Sequence, residues 1–236
     1  MKIWLVLLLS ALTSYMFIST YFAYFLFVVL IYWILSDLHI INGGSLNLGT
    51  FKNSTLFYKR VTGPYNYNTL NPYFEEACKV LEKFNLNNVY EYNSFGMYLD
   101  DPKKVDEKNL RSCIGIAFTP SDGSMKCKEE LINYCKSNGY EMNDLPAFPA
   151  IVSRYPLISY MFVIFAIKSF YSMLNKNIED ADFCRRMRIK VENIPCIIDL
   201  YRPKMVEFYV PKVDKEEEKE KFKAFCTFNI DDKKNN

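Results

Sequence analysis

The chain has 236 residues, and its 29 Lys and Arg against 27 Asp and Glu give a net charge of +2. Such a balance provides no strong electrostatic field for nucleic acid or acidic substrates, and the length fits one or two domains. The chain contains one histidine, His39, which argues against histidine-based zinc sites and against Ser-His-Asp or Cys-His catalysis. We therefore expect no cofactor and no enzymatic activity.

The cysteines give an indication of the compartment. None of them forms a Cys-x-x-Cys pair, and their number is odd. This pattern is typical of reduced thiols on the cytosolic side of a membrane, with a zinc or redox site as the alternative. The seven are Cys78, Cys113, Cys127, Cys135, Cys184, Cys196 and Cys226.

The first 36 residues are predicted to form a membrane anchor. Residues 3–35 carry no charged side chain, and a helix of that length would measure about 50 Å, against about 30 Å of bilayer hydrocarbon. The stretch is too long for the apolar region of a signal peptide, which has about 7 to 15 residues. We expect a single retained transmembrane helix within residues 1–36.

The carboxyl terminus suggests which membrane this is. Lys233 and Lys234 stand fourth and third from the end, which resembles the dilysine retrieval signal of endoplasmic-reticulum membrane proteins, an address that is read in the cytosol. The alternative is a basic, solvated tail. A glycosylation sequon at Asn53 would instead favour a lumenal body. We expect an endoplasmic-reticulum location with the body and the carboxyl terminus in the cytosol.

The body repeats one pattern twice. The first copy consists of a strand at 55–58, a helix capped by Asn71 with Pro72 at its first position, and strands at 89–98 and 113–118. The order of strand, helix, strand and strand then recurs, and this repetition predicts an α+β fold with an internal duplication.

The second copy follows an inserted helix at 125–137. It comprises a strand at 150–153, a long helix at 157–177, and a final hairpin of strands at 188–192 and 196–201. Beyond residue 211 the chain becomes strongly charged, which predicts a solvated helix or a mobile tail over 212–236.

Several short motifs occur in a fixed order behind the apolar segment. They are Gly63-Pro64-Tyr65, Arg111-Ser112-Cys113-Ile114-Gly115, Leu145-Pro146-Ala147, Tyr155-Pro156 and Phe208-Tyr209-Val210-Pro211. In this order they resemble the testis-expressed protein 264 family, whose body is a gyrase-inhibitor-like (GyrI-like) domain. The resemblance implies a GyrI-like domain over residues 45–211, in which two pseudo-symmetric β-α-β-β units form one sheet with two helices.

The resemblance also implies a function. Members of the family act as receptors in selective autophagy of the endoplasmic reticulum (reticulophagy), through a disordered tail whose aromatic-x-x-aliphatic motif adds as a strand to ubiquitin-like modifiers. In this chain Phe222, Phe225 and Phe228 are the tail aromatics, and none has an aliphatic residue three positions later. We therefore expect a membrane-bound binding or adaptor protein whose contact with the autophagy machinery is indirect.

Bacterial GyrI-like proteins bind small hydrophobic, often cationic, molecules in a cleft between their two halves, frequently with a glutamate on the penultimate strand. By alignment Lys190 takes that position, with Glu192 two residues later. The tyrosines that are candidates for an aromatic lining are Tyr65, Tyr67, Tyr90, Tyr92 and Tyr98, and the alternative is that they divide between core and surface.

The cleft residues are thus predicted to include Tyr65, Tyr67, Tyr92, Lys190 and Glu192. Two alternative functions follow from the same resemblance. One is a small-molecule sensor, and the other is a hydrolase that uses Glu192 beside a tyrosine.

Overall fold

The computed structural model describes Tyr15 and residues 18–32, 45–87, 89–120, 129–157, 160–187, 189, 194–213 and 216–226. The chain divides into two compact units, Met1–Gly43 and Gly44–Asn236. In the first unit, residues 18–32 form helix α1. The rest of the predicted anchor lies outside the described residues, and within the described part of the chain no helix is long and apolar enough to cross a membrane.

The second unit is an α+β structure. Its strands are β1 (Asn47–Phe51), β2 (Ser54–Thr62), β3 (Tyr92–Tyr98), β4 (Arg111–Phe118), β5 (Glu141–Leu145), β6 (Phe148–Pro156), β7 (Ile197–Arg202) and β8 (Met205–Pro211). Its helices are α2 (Tyr67–Lys83), α3 (Glu129–Ser137), α4 (Tyr160–Ile178), α5 (Ala181–Met187) and α6 (Glu216–Cys226). The strands form one sheet in the order β1-β6-β8-β7-β3-β4-β2-β5, and all of the pairings are antiparallel.

The strand order contains the predicted duplication. The first β-α-β-β unit is β2-α2-β3-β4, whose strands lie in the order β2-β4-β3; the second is β6-α4-β7-β8, whose strands lie in the order β6-β8-β7. The two units meet where β3 pairs with β7, from Ser94 opposite Tyr201 to Tyr98 opposite Ile197. The prediction of two β-α-β-β units that form one sheet is confirmed.

The sheet curls because two continuous chain segments, β1–β2 and β5–β6, each connect one edge of the sheet to the other. Two residues separate β1 from β2, although β1 is the first strand of the order and β2 the seventh. In a flat sheet, six strand spacings would place them about 29 Å apart, whereas three Cα–Cα steps reach at most about 11 Å. The edges therefore meet. Phe51 pairs with Phe148 and Ser54 with Leu145, so one register continues from β1–β6 into β2–β5.

The curl brings backbones close together at Gly115 of β4. A Cβ atom at this position would lie 1.9 Å from the carbonyl oxygen of Phe57 and 2.8 Å from the Cα atom of Tyr58, both in β2. Any side chain would push the two strands apart. Glycine is therefore required at the end of the motif that begins at Arg111.

Helices α2 to α5 cover one face of the sheet, which we call the outer face. In the first unit, Ala77 and Val80 of α2 pack with Phe57 and Ile116. In the second unit, Phe170 of α4 stacks on Phe208 of β8, with ring centroids 4.3 Å apart and planes 10° apart. Each helix thus buries the strands of its own unit, and each contributes one half of the outer layer.

Helix α6 lies on the opposite face, which we call the inner face. Its Phe222 and Phe225 are buried in one cluster with Leu56, Phe95 and Ile198 of the sheet. The sequence alternatives for this segment were a solvated helix or a mobile tail. The structure has a helix that is charged along most of its length and anchored by these two phenylalanines.

The predicted start of α2 is wrong by about one turn. The helix begins at Tyr67 because the side chain of Asn66 accepts a hydrogen bond from the Thr69 backbone N–H at 3.0 Å, which caps the first turn. Pro72 therefore lies inside the helix rather than at its first position.

The predicted final hairpin is also wrong. The hairpin consists of β7 and β8, in which Arg202 pairs with Met205 across a two-residue turn. Of the strand predicted at 188–192, the structure describes only Ile189, which is not in a strand. The turn contains Pro203, and the prediction placed the turn at Pro195, one proline too early.

Candidate functional site

A cleft of about 1320 Å³ opens on the outer face between α2 and α4. It lies above the line where β3 pairs with β7, because α2 and α4 each cover the strands of their own unit. The outer-facing side chains of these two central strands form its floor. They are Ser94, Tyr98, Ile197, Asp199 and Tyr201.

Asp199 is the central feature of this floor. Its side chain is 1% exposed. Tyr201 donates a long hydrogen bond, 3.5 Å, to Oδ2, and the Tyr98 hydroxyl lies near the same carboxyl group. Oδ1 is buried and has no partner of hydrogen-bonding geometry among the described residues. Burial raises the pKa of Asp199 to about 8, although hydrogen bonds from Tyr98 and Tyr201 favour the carboxylate.

A second buried acid, Glu207 on the inner face, provides a contrast. Arg202 Nε donates to Oε2 at 2.5 Å, Arg154 Nε donates to Oε1 at 2.7 Å, and the Tyr209 hydroxyl donates to Oε2 at 2.8 Å. Burial alone would raise the pKa of Glu207, but the two arginines outweigh it and leave the pKa below its ordinary value. Glu207 is a compensated buried charge, whereas Asp199 forms no ion pair with a described residue, and its pKa is set by burial and by hydrogen bonds from Tyr98 and Tyr201.

Aromatic rings form much of the wall around Asp199. Tyr65 and Tyr98 pack edge to face with centroids 5.0 Å apart, and Phe74 of α2 packs in the same way on Tyr201 at 5.3 Å. Tyr171 of α4 lines the opposite side. Burial raises the pKa values of Tyr98 and Tyr171 well above the ordinary value, so these hydroxyls stay neutral and the rings remain uncharged.

Most charged groups that line the cleft are exposed, whereas Asp100 and Arg202 are buried in ion pairs with Arg111 and Glu207. Glu75 and Glu82 lie on α2, Lys168 on α4, and Lys103 and Lys104 on the loop after β3. Water screens such groups, so they contribute little to the charge preference of the interior.

The aromatic wall is held in place by a buried polar contact. The Tyr65 hydroxyl donates to the Arg111 carbonyl oxygen at 2.5 Å and accepts from the Asp100 backbone N–H at 3.1 Å. Asp100 in turn binds the Arg111 guanidinium through both carboxylate oxygens, at 2.7 and 2.9 Å. Tyr65 is therefore fixed before any ligand enters.

The structure brings part of the predicted site together. Tyr65, Tyr67 and Tyr92 line the cleft, as does Tyr98. Tyr90 lies elsewhere, with the Arg202 guanidinium 4.3 Å from its ring centroid. Lys190 and Glu192 lie outside the described residues.

Sequence reasoning missed Asp199. The penultimate strand in chain order is β7 and not the segment 188–192, so the prediction assigned its charged positions to Lys190 and Glu192 instead of Asp199. The available signal was a single acid, Asp199, within the nearly continuous apolar run from Cys196 to Tyr201, which predicts a strand buried on both faces.

The cysteines form no metal site in the described part of the chain. No disulfide joins those described there, and no three His, Cys, Asp or Glu side chains of these residues lie close enough to hold a metal ion. Cys127 lies outside the described residues.

Comparison with known proteins gives similarity to solved structures only. No family model matches the chain, and no curated protein does. SAV2435 bound to tetraphenylphosphonium aligns at 12% identity and a TM-score of 0.45, covering 73% of this chain and 96% of that chain. The C-terminal domain of EcmrR aligns at 12% identity and a TM-score of 0.40, covering 72% and 99%.

A hydrolase encoded by lin2189 from Listeria innocua aligns at 8% identity and a TM-score of 0.40, covering 72% of this chain and 93% of that chain. Similarity at this level does not specify a ligand or an activity. Both have to be inferred from the cleft itself.

Gly96 makes room for the contact between Tyr98 and Asp199. It pairs with Asp199 across the two central strands, and a Cβ atom there would lie 2.9 Å from the Tyr98 hydroxyl oxygen and 3.0 Å from Phe74 Cζ. An alanine would displace both rings. We expect Gly96→Ala to raise the pKa of Asp199 above its value of about 8, because the Tyr98 hydrogen bond that favours the carboxylate weakens.

The measurement is the ¹³C chemical shift of the Asp199 carboxyl carbon as a function of pH. Tyr98→Phe should raise the same pKa, and the double variant should raise it no further than Tyr98→Phe alone, because both substitutions act through one hydroxyl. A pKa that does not change in Gly96→Ala, or effects that simply add, would contradict this role of Gly96.

Proposed function

We propose that the second unit binds a lipophilic cation in the cleft between α2 and α4. The observation that carries this proposal is the buried Asp199 carboxyl group on the floor, one oxygen of which has no hydrogen-bond partner among the residues that the structure describes. Ligand clefts commonly measure about 300 to 1,000 Å³, so a cleft of about 1320 Å³ accommodates a molecule with several rings.

Physical chemistry favours a cation over an anion or a neutral molecule. A buried carboxylate without a counterion is costly, and a positive charge in the cleft would remove that cost. Tyr98, Tyr171 and Tyr201 line the cleft, and the negative face of an aromatic ring attracts cations. A hydrophobic anion would meet the same rings and the same carboxylate with the opposite sign of interaction.

The proposal is one of binding, and the role that suits it is that of a small-molecule sensor. An occupant of the cleft touches Phe74 of α2 and Tyr171 of α4, and thus both halves of the duplicated fold. Its presence would set the spacing of the two helices, which gives the protein a means to report occupancy to a partner.

The charge preference can be tested with two probes of similar shape. We expect the chain to bind tetraphenylphosphonium and to bind the isosteric anion tetraphenylborate much more weakly. Asp199→Asn should lower the affinity for the cation about 10- to 100-fold, the equivalent of a lost charge-assisted contact of about 1.5–3 kcal/mol. Titration calorimetry measures both affinities.

Asp144→Asn is the matched control, because this carboxylate accepts from Thr55 at 2.7 Å on the exposed edge strand, away from the cleft. It should leave both affinities unchanged. Equal affinity for the two probes, or no loss of cation affinity in Asp199→Asn, would refute the proposal and favour a neutral ligand.

The affinity for the cation should also depend on pH. Since the pKa of Asp199 in the empty cleft is about 8, the group is mostly protonated at pH 7, and a cation must displace that proton. We expect the affinity to rise about tenfold per pH unit between pH 6 and 8 and to level off above pH 8. Calorimetry in two buffers of different ionisation enthalpy should count close to one proton released at pH 7.

In Asp199→Asn the pH dependence should disappear. The substitution removes the carboxyl group whose protonation competes with the cation. A wild-type affinity that stays constant from pH 6 to 8 would show that the ligand does not pair with the carboxylate.

The uncharged stretch near the amino terminus bears on where this binding unit is located. We propose that the uncharged stretch 3–35 attaches the chain to the endoplasmic-reticulum membrane with its body in the cytosol. The uncharged stretch supports it, together with the motifs that resemble the testis-expressed protein 264 family.

A role as an adaptor in reticulophagy rests on that resemblance alone. Phe222 and Phe225 are buried within a helix, where neither is available to extend the sheet of a ubiquitin-like modifier. This burial favours an indirect contact with the autophagy machinery, made through another protein.

Protease protection tests the orientation. Asn53 is exposed between β1 and β2, so the sequon there is accessible to glycosylation if the body is lumenal. We expect a protease added outside intact microsomes to digest the body, and we expect no glycan at Asn53. A protected fragment that shifts on glycosidase treatment would reverse the orientation.

A further inference from the structure

Helix α6 occupies the inner face of the sheet through two aromatic side chains. Phe222 is 1% exposed and Phe225 is fully buried. The ring of Phe222 packs edge to face on Phe148 with centroids 5.2 Å apart, and that of Phe225 lies 5.2 Å from Tyr58. The two phenylalanines are three positions apart, so they lie on one side of the helix and enter the same apolar surface.

Two arginines bind the carboxyl-terminal end of α6. Arg60 Nη2 donates to the carbonyl oxygen of Ala224 at 3.1 Å, and Arg111 Nη1 donates to that of Cys226 at 3.1 Å. These carbonyl groups lie at the end of the helix, where they lack intrahelical donors and where the helix dipole is negative. The arginines therefore recognise a helix end, whichever sequence carries it.

This surface is organised without α6. Glu141 of β5 binds Arg60 through both carboxylate oxygens, at 2.7 and 2.8 Å, and Asp100 binds Arg111 in the same bidentate manner. Tyr58 is fixed as well, because Asn143 donates to its hydroxyl at 2.6 Å. Glu141, Asp100 and Asn143, which hold these side chains, belong to the sheet or its loops.

Helix α6 itself has little intrinsic stability. It has eleven residues, with the sequence EEEKEKFKAFC, and isolated helices shorter than about 12 to 15 residues are marginal in water. Its charged positions Glu220 and Lys223 face solvent. It therefore depends on two phenylalanines and two arginine contacts, and such elements are the ones that open most readily in a folded protein.

We propose that the inner face is a docking groove for an amphipathic helix, which α6 covers until a partner helix replaces it. The partner would carry two aromatic residues three positions apart and would end one residue beyond the second, where Arg60 and Arg111 bind its last carbonyl groups. Because α6 is tethered, its effective concentration at the groove is high, so the groove stays closed in the absence of a partner.

Buried thiols report the opening of the groove. Cys113 lies beneath α6, its sulfur 4.0 Å from the Phe225 carbonyl oxygen, and is fully buried. Cys135 is equally buried but lies on the outer face, in the cluster of α2 and α3. In the full-length chain, we expect an excess of N-ethylmaleimide to modify Cys113 at least ten times faster than Cys135, as followed by peptide mass spectrometry.

A peptide tests the occupant. In the variant Phe222→Ala/Phe225→Ala, the modification of Cys113 should accelerate at least another tenfold while Cys135 stays protected, which also shows that the variant is folded. A synthetic peptide with the sequence of residues 213–228 should bind this variant and slow the modification of Cys113 again. The same peptide with both phenylalanines replaced by alanine should have no effect.

Two results would overturn the proposal. One is the modification of Cys113 and Cys135 at the same slow rate in the wild-type chain, which would mean that the inner face opens only on global unfolding. The other is a failure of the peptide to protect Cys113 in the variant. Should Cys135 lose its protection in the double variant, Phe225→Leu replaces it as the weaker release of α6, with the same expected order of rates.

Discussion

The shape of the second unit depends on the continuous ladder that joins the two edges of its sheet. The register that pairs Phe51 with Phe148 continues unbroken to Ser54 and Leu145, so the chain between β1 and β2 has no freedom to flatten the sheet. Curling makes one face concave and the other convex. The concave inner face has room for one short helix, and the convex outer face spreads two long helices apart. The cleft between those helices is thus a consequence of strand connectivity.

Duplication of the β-α-β-β unit places the cleft where the two units meet, at the pairing of β3 with β7, but the two sides of the cleft differ. At the centre, Gly96 of one unit faces Asp199 of the other. The glycine leaves room for Tyr98, and the acid carries the charge. Raising the pKa of Asp199 from 3.8 to about 8 costs the folded state roughly 4 kcal/mol at pH 7. The sign follows from the raised pKa: the penalty is absent below the unfolded pKa and grows as the pH rises towards 8. In the proposed complex, a cation paired with the carboxylate would offset this penalty.

The sequence allowed the prediction of the repeated β-α-β-β order, because alternating apolar residues and helical spacing are local patterns. It did not allow the prediction of β1 and β5, since these short strands carry few apolar residues and are defined by their pairing with distant segments. The final hairpin was misplaced by one proline, and that error removed Asp199 from consideration. The tyrosines were found because their clusters at 65–67 and 90–98 are visible in the sequence without any knowledge of the sheet, and aromatic side chains commonly line ligand pockets.

The segment that carries Phe222 and Phe225 shows a different limit of prediction. Its composition is that of a solvated tail, because seven of the eleven residues of α6 are charged. A helix with a stripe only two aromatic residues wide has a weak periodic signal. The two phenylalanines are sufficient to hold α6 because they enter a surface assembled from β2, β4 and β6. No short stretch of the sequence contains all three strands.

The cleft and the surface beneath α6 lie on opposite faces of the same strand, β7. In β7, Ile198 and Leu200 belong to the inner-face cluster with the phenylalanines of α6, while Asp199 between them lies on the floor of the cleft. Because neighbouring residues of a strand point to opposite faces, β7 cannot shift towards a ligand without moving the side chains beneath α6. A close-packed interior transmits such a shift instead of absorbing it. With the two proposals above, occupancy of the cleft and attachment of α6 would be coupled through the backbone of β7, and a sensor needs such a connection between its ligand and its partner.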